Sequence, residues 1–411
     1  MARGHIVTGL DIGTDTIKIL VAQKRAETLE VLAQATMPSF GLRRGAVVNV
    51  EETAKNIQLL VDGVQRDHNI NIGSVFVNMG GSHLYVTHSD GVISVSRADQ
   101  RISEEDVERV LQASRVINIP SNEEILDVFP REFIIDDQKG IKQPEGLTGI
   151  RLEAKVILLC YFQSYFINLT QAVLSAKLQI NDIVPSPLAA AEAVLTPQQK
   201  ELGVALIDMG SDTTSLAVFE EGDLVHLAIF PLGSANITKD IAIGLKTEFA
   251  IAETIKKQHG SCMISKSQKD KKNTSKKNIE VFGQSESLSF TEKDLINIIE
   301  PRVREIIDLI QKELKKIGRQ ELLPGGVVIT GGGAKLPNIK ELVRQQLKLT
   351  CEIGVLKGID GIEQDPALAT VAGLVLGGAA ADDLPIEGVL GLGFMKKLFS
   401  KFKKTFRVFI P

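Results

Sequence analysis

The 411 residues predict an α/β protein of two similar halves around a central cleft, with a small α+β unit inserted into the first half. Three observations carry that expectation. The stretch Gly9-Leu10-Asp11-Ile12-Gly13-Thr14-Asp15-Thr16 recurs 197 residues later as Leu206-Ile207-Asp208-Met209-Gly210-Ser211-Asp212-Thr213-Thr214. Between about 84 and 165 the pattern changes to strand, capped helix and two more strands. With 44% hydrophobic and 24% charged residues the chain can bury a sizeable core, which excludes a disordered or fibrous protein.

Each copy of the repeat is an apolar strand, a D-x-G-[ST]-D-T turn and a second strand, and so predicts a β-hairpin. After the first hairpin, Glu51 to Asp67 is helix-periodic, and Ser74–Met79 is a strand stopped by Gly80-Gly81. In the insert, Tyr85 to Ser96 predicts a strand, and Ser103-Glu104-Glu105-Asp106 caps a helix running to Ser114. Strands are expected at Glu132–Ile135 and Leu152–Leu159. Helix returns at Gln163–Ala176, and Pro185-Ser186-Pro187 introduces a small-residue helix, Leu188 to Leu195. Past the second hairpin, Ile237 to Lys257 predicts one helical stretch. Residues 266–277 hold six lysines and no apolar residue, a solvated insertion rather than a nucleic-acid site. Thr291-Glu292-Lys293-Asp294 caps a long helix to Ile317, with Pro301 expected to kink it and Leu295, Ile298, Ile299, Ile306, Leu309 and Ile310 on its buried side. Val327–Thr330 is a strand entering Gly331-Gly332-Gly333, with a helix from Pro337 or Asn338. The uncharged, Ala/Gly-rich run Ala367 to Ala381 is too short to span a bilayer and suits close packing on a sheet.

The expected organisation is a first core subdomain at 1–84 and 166–197 and an insert at 85–165. A second core subdomain takes 198–245 and 325–383, with a further subdomain at 246–324. A linker at 384–393 leads to a tail at 394–411.

Formal net charge is −4, which excludes a globally basic nucleic-acid binder. The charge is uneven, because residues 394–411 carry five Lys, one Arg and no acid. On a helical wheel, Phe394, Met395, Leu398, Phe399, Phe402, Phe406, Phe409 and Ile410 fall within about 160° of arc. Lys396, Lys397, Lys401, Lys403, Lys404 and Arg407 take the other side, with Val408 and Thr405 as misfits. Such a helix suits an anionic membrane surface, although a core-packed surface helix and a peptide target for another protein share the pattern. Cys160, Cys262 and Cys351 are too far apart for a disulfide framework or a metal cluster and predict free thiols in a reducing compartment. The first residues run directly into a strand pattern with no apolar leader, so a cytosolic protein is expected.

The turns Gly13-Thr14-Asp15-Thr16 and Gly210-Ser211-Asp212-Thr213-Thr214 offer open backbone N–H groups and hydroxyls, the chemistry that grips phosphate. Asp11 and Asp208 could hold Mg²⁺ through water, since Mg²⁺ keeps several waters and one or two carboxylates. Two such turns face to face would clamp a triphosphate. Gly331, Gly332 and Gly333 either admit a base or ribose or serve a strand-to-helix turn.

With Asp365-Pro366-Ala367-Leu368-Ala369-Thr370-Val371-Ala372-Gly373 completing the order of motifs, the chain resembles the actin/Hsp70/sugar-kinase ATPase superfamily. Within it, the chain is similar over essentially its whole length to the FtsA family of bacterial cell-division actins. The most specific stretches are Gly140 to Glu153, Ile237-Thr238-Lys239-Asp240-Ile241-Ala242 and the amphipathic C-terminus. The resemblance implies an actin/Hsp70-like ATPase fold binding ATP and Mg²⁺. It implies self-assembly into polymers, contacts with later division proteins, and tethering of FtsZ filaments to the cytoplasmic face of the membrane at the septum. Asp11, Gly13, Thr14, Asp15, Thr16 and Lys18 would take one side of the phosphates, and Asp208 with Gly210 to Thr214 the other. Glu253 and Lys256 match positions that hold ribose and adenine, and Arg302 would pair an acidic side chain of the FtsZ C-terminal peptide. On the residues alone, Arg302 and Arg304 are the solvated side of a helix. Ser186 stands where related proteins tend to carry an acid, near where actin-like ATPases orient the attacking water, so hydrolysis is expected to be slow at most. A type IV pilus scaffold and a sugar or metabolite kinase of the same superfamily remain alternatives, the second lacking a recognisable catalytic Asp.

Overall fold

The computed structural model describes residues 5–25, 28–263, 277–279 and 288–382. The lysine-rich stretch 266–276, the linker 384–393 and the tail 394–411, on which the expected membrane contacts Phe394, Leu398, Phe399, Phe402, Phe406, Phe409, Lys397, Lys401 and Lys404 fall, lie outside them.

Two sheets share one topology. In the first, the order is Gln179–Pro185, Ser74–Met79, Ile6–Ile12, Thr16–Arg25, Thr28–Pro38 and Ile359–Asp360. In the second it is Cys351–Ile353, Val327–Thr330, Val204–Met209, Thr214–Glu220 and Asp223–Phe230. Each centres on an antiparallel hairpin, adds a third antiparallel strand on one side and two parallel strands on the other. The repeat is therefore a repeat of whole sheets. Near-continuous burial along Ile6–Ile12 and Val204–Met209 suits strands covered on both faces.

The insert is an antiparallel sheet ordered Tyr85–Ser94, Arg151–Phe162, Glu123–Ile135 and Gln138–Ile141, with helix Glu104–Ala113 packed on it. That helix starts as its sequence predicts: Ser103 Oγ accepts from the Asp106 N–H while Asp106 accepts from the Ser103 N–H. Thr291 and Asp294 repeat the device at helix Glu292–Lys316, which runs through Pro301 without interruption. Its buried side is wider than expected: Leu295, Ile299, Ile306 and Ile310 are buried, as are Ile296, Val303, Ile307 and Leu314, whereas Ile298 and Leu309 are only half-buried.

Two expectations change. Ile237 to Lys257 is not one helix but two, Ser234–Leu245 and Phe249–His259, because Lys246 takes a left-handed conformation at φ 51° and ends the first. Residues 359–382, placed by sequence with the second core, return to the first sheet. Ile359–Asp360 pairs with Thr28–Pro38, and helix Ala369–Asp382 packs on Ile6–Ile12 and on helix Ser186–Val194. The packing explains the small residues: a Cβ on Gly373 would stand 1.7 Å from the Ala189 carbonyl oxygen, and one on Gly378 2.5 Å from the Phe76 ring. Among the described residues no helix is long and apolar enough to cross a membrane.

Candidate functional site

The two hairpin turns are built alike. The Gly13 N–H donates to the Thr16 carbonyl at 3.1 Å and the Gly210 N–H to the Thr213 carbonyl at 2.8 Å, so both turns close with the same bond. In each, the glycine lacks a Cβ where one would crowd the bonded carbonyl, at 2.8 Å in Gly13 and 3.1 Å in Gly210. The turns meet across the cleft through the loop 39–49. The Gly45 N–H donates to Thr14 Oγ1 at 3.0 Å, and the adjacent Arg44 N–H donates to Asp212 Oδ2 in the other half at 3.3 Å. Behind the second turn, the N–H groups of Ser234 and Ala235 donate to the carbonyls of Gly210 and Ser211, which fixes the turn on the start of helix Ser234–Leu245.

Charge converges here. Lys18 pairs with Asp11 at 2.8 Å, both largely buried, and a Cβ on Gly13 would stand 3.9 Å from its Nζ, so the ammonium lies against the turn. Burial opposes the Lys18 charge, but Asp11, Asp208 and Asp15 together hold its pKa above the ordinary value. Asp208 is the opposite case. Burial and the neighbouring Asp11 carboxylate push its pKa up to about 7, against a smaller pull from Lys18. The buried Asp11 and the half-buried Asp208, with Lys18 acting on both, form a site that a divalent cation fits. Because no group of three or more His, Cys, Asp or Glu converges among the described residues, the remaining ligands would be phosphate and water. Asp11 and Asp208 would hold such an ion, and its charge would screen the phosphates from the carboxylates.

The other expected residues divide. Thr214 is turned away, fully buried with its hydroxyl donating to the Leu232 carbonyl at 2.8 Å. Gly331 and Gly333 serve close packing, since a Cβ would stand 2.3 Å from Asp208 Oδ1 in the first and 2.4 Å from Met209 Cγ in the second. Gly332 alone faces open space. Glu253 and Lys256 pair at 2.7 Å, and Lys256 Nζ also donates to Thr238 Oγ1 at 2.8 Å and to the Ser234 carbonyl at 3.2 Å. Burial holds the Lys256 pKa below its ordinary value despite Glu253, and Asp15 of the first turn also acts on it across the cleft. Arg302 is not a solvated side chain. Its Nε and Nη2 grip the Asp240 carboxylate at 2.6 and 3.0 Å, and Nη1 bonds Glu305, tying two helices together. Sequence reasoning missed Asn78, Asp240 and Thr238. Thr238 and Asp240 lie in the stretch Ile237 to Ala242 that carried the family resemblance, and Asn78 carried a signal of its own, an amide directly after the apolar run Val75-Phe76-Val77.

Residues 205–373 match the family described as "Cell division protein FtsA", and residues 81–160 match the "SHS2 domain inserted in FTSA". The chain is 35% identical over 375 residues to the cell division protein FtsA of Bacillus subtilis, covering 91% of this chain and 84% of that one. Among solved structures, the PilM–PilN type IV pilus biogenesis complex aligns at TM-score 0.64 with 19% identity, covering 90% of this chain and 98% of that one. MreB5 of Spiroplasma citri bound to ADP aligns at 0.53 with 13% identity and 99% coverage of both. At those identities the structures speak for the fold, which is the actin-like ATPase fold with duplicated halves and an inserted subdomain. The sequence match speaks for more, and the chain belongs to the FtsA family of cell division proteins.

Proposed function

We propose that this chain is an ATP-binding, actin-like division protein that polymerises and tethers FtsZ filaments to the cytoplasmic face of the membrane. The observation that carries the nucleotide part is the pair of equivalent turns, closed by the same glycine N–H bond and linked across the cleft from Arg44 to Asp212. Backbone N–H groups in such turns favour phosphate, and Lys18, Asp11 and Asp208 fit a Mg²⁺–phosphate group between them. Lys18 steers and neutralises phosphate; the turns orient it; the two aspartates position the metal.

The membrane part rests on the tail. Each buried apolar side chain contributes about 1.5–3 kcal/mol and each Lys or Arg near an anionic surface about 1 kcal/mol. The eight residues of the apolar face and the six basic residues in 394–411 therefore support reversible binding. The FtsZ part rests on family membership and on helix Glu292–Lys316, where an acidic peptide would have to compete with Asp240 for Arg302. Hydrolysis is slow in this reading, because Ser186 is short and neutral where in-line water must be positioned.

The test combines equilibrium Mg-ATP binding, single-turnover hydrolysis and liposome sedimentation. The intact chain should bind Mg-ATP, turn it over far below the ~1–100 s⁻¹ of kinases, and sediment with anionic liposomes. Deleting 394–411 should abolish sedimentation and leave ATP binding intact. Kinase-like turnover would reopen the metabolite-kinase alternative.

A further inference from the structure

Strand Ser74–Met79 lies between Ile6–Ile12 and Gln179–Pro185 and runs parallel to both. Asn78 stands one residue from its C-terminal end, the end at which open α/β sheets receive ligands. An amide in a buried strand is costly unless bonded. Asn78, only 5% exposed, is bonded to both sides. Its Oδ1 accepts from the Ile12 N–H at 2.6 Å, the residue directly before the first phosphate turn. Its Nδ2 donates to Ser186 Oγ at 3.0 Å, at the start of helix Ser186–Val194.

The chemistry fixes the orientation of the amide in this chain of bonds. The Ile12 N–H can only donate, so the amide oxygen must face it and the amide NH₂ must face Ser186. A serine hydroxyl has one hydrogen and two lone pairs. With Asn78 donating to a lone pair, the Ser186 hydrogen points away from Asn78, and among the described residues Ser186 Oγ donates to none. Gly80 packs close to the same hydroxyl, since a Cβ there would stand 2.9 Å from Ser186 Oγ. Ser186 thus keeps its one hydrogen for a partner other than Asn78, and stands in the first half one side chain away from Ile12 at the root of the first turn. Gly332, which alone of the three glycines faces open space, and the Glu253–Lys256 pair, which the family resemblance assigns to ribose and adenine, belong to the second half. The end of a phosphate chain farthest from the base then lies toward Ser186.

We propose that Asn78 is a positioning residue that sets the preference for a nucleoside triphosphate over the diphosphate, by holding the Ser186 hydroxyl hydrogen toward the terminal phosphate. This rests on the nucleotide reading above and adds a determinant that the turns do not supply. The turns contact phosphates common to both nucleotides; Ser186 contacts only the one that differs.

Affinities of Mg-ATP and Mg-ADP, measured by titration calorimetry on the full chain, test it with Asn78→Asp, Ser186→Ala and the double variant. Aspartate at 78 still accepts from the Ile12 N–H but draws the Ser186 hydrogen back onto itself. Each single variant should lower the ATP-to-ADP affinity ratio about tenfold, which is about 1.4 kcal/mol and of the order of one hydrogen bond to a charged group. ADP affinity should change less than about threefold, and the double variant should be no lower than either single, as for residues acting as one unit. An unchanged ratio in Ser186→Ala, which keeps the fold even if Asn78→Asp does not, overturns the inference. A full further loss when Asn78→Asp is added to Ser186→Ala also overturns it, because the carboxylate would then act directly. A wild-type chain that binds neither nucleotide overturns the nucleotide reading itself, and this inference with it.

Discussion

Buried carboxyls are where single residues decide most. Asp182, 2% exposed, sits in the strand Gln179–Pro185 where the register slips between Ile180 and Asp182. Around it lie Leu126, Phe129 and Leu159, and Asp127 of the insert. Burial and, to a smaller extent, Asp127 raise its pKa to about 8, against one bond from the Ile183 N–H. A carboxyl that holds its proton more tightly folded than unfolded loses stability as pH rises from its unfolded value through its folded one, at up to about 1.36 kcal/mol per pH unit. The window is therefore about pH 4 to 8. Asp182→Asn keeps the acceptor for Ile183 and removes the charge, so it should raise the melting temperature at pH 8 and much less at pH 5. An equal gain at both pH values would show that packing, not the proton, sets the cost. Asp208 lies in the cleft and should behave differently. Asp208→Ala should weaken Mg-ATP binding about tenfold or more and flatten its dependence on Mg²⁺ concentration, measured by fluorescence competition.

Among elements, the helix pair Ser234–Leu245 and Glu292–Lys316 carries the clearest prediction. Gly244 lets Ile298 approach to 2.6 Å of where a Cβ would be, and the Arg302–Asp240 fork closes the pair. With both side chains about a quarter exposed, the fork is worth about 1 kcal/mol rather than several. Arg302→Glu should lower the melting temperature by a few degrees. The charge swap with Asp240→Arg should restore stability but not binding of an acidic FtsZ tail peptide. Peptide binding restored by the swap would mean that Arg302 acts only by holding the helices together.

Across the whole molecule, the insert joins what the chain separates. It is covalently part of the first half, yet its Lys142 pairs with Asp223 at 2.8 Å and Glu221 at 3.0 Å of the second, and Arg131 Nη1 donates to the Val225 carbonyl at 3.4 Å. Strands Tyr85–Ser94 and Glu123–Ile135 pack on Asp223–Phe230 over the same contact. Any rotation of one half against the other therefore strains this bridge. Lys142→Glu should loosen it, raising amide exchange along Asp223–Phe230 and speeding nucleotide release. The effect should be within about fivefold, because the pairs are half-exposed and worth at most about 1 kcal/mol. Unchanged exchange along Asp223–Phe230 would show that apolar packing alone holds the insert.

The sequence by itself determined the parts whose signal is local. The duplicated D-x-G-[ST]-D-T turns were legible because a glycine-closed hairpin needs the same residues wherever it occurs. The caps at Ser103 and Thr291 were legible because side chain and backbone partners lie three residues apart. Tertiary structure alone decided what depends on distant partners. It turned Thr214 onto Leu232, spent Gly331 and Gly333 on packing against Asp208 and Met209, and gave Arg302 to Asp240. It also brought Ile359–Asp360 back to a strand some 330 residues earlier in the chain. Asn78 shows the boundary between the two. Its composition in an apolar strand was visible, but the bonds to Ile12 and Ser186 that give the amide its meaning join residues 66 and 108 positions away. Only the sheet order sets those three side by side, because parallel strands neighbour each other in space and not in sequence.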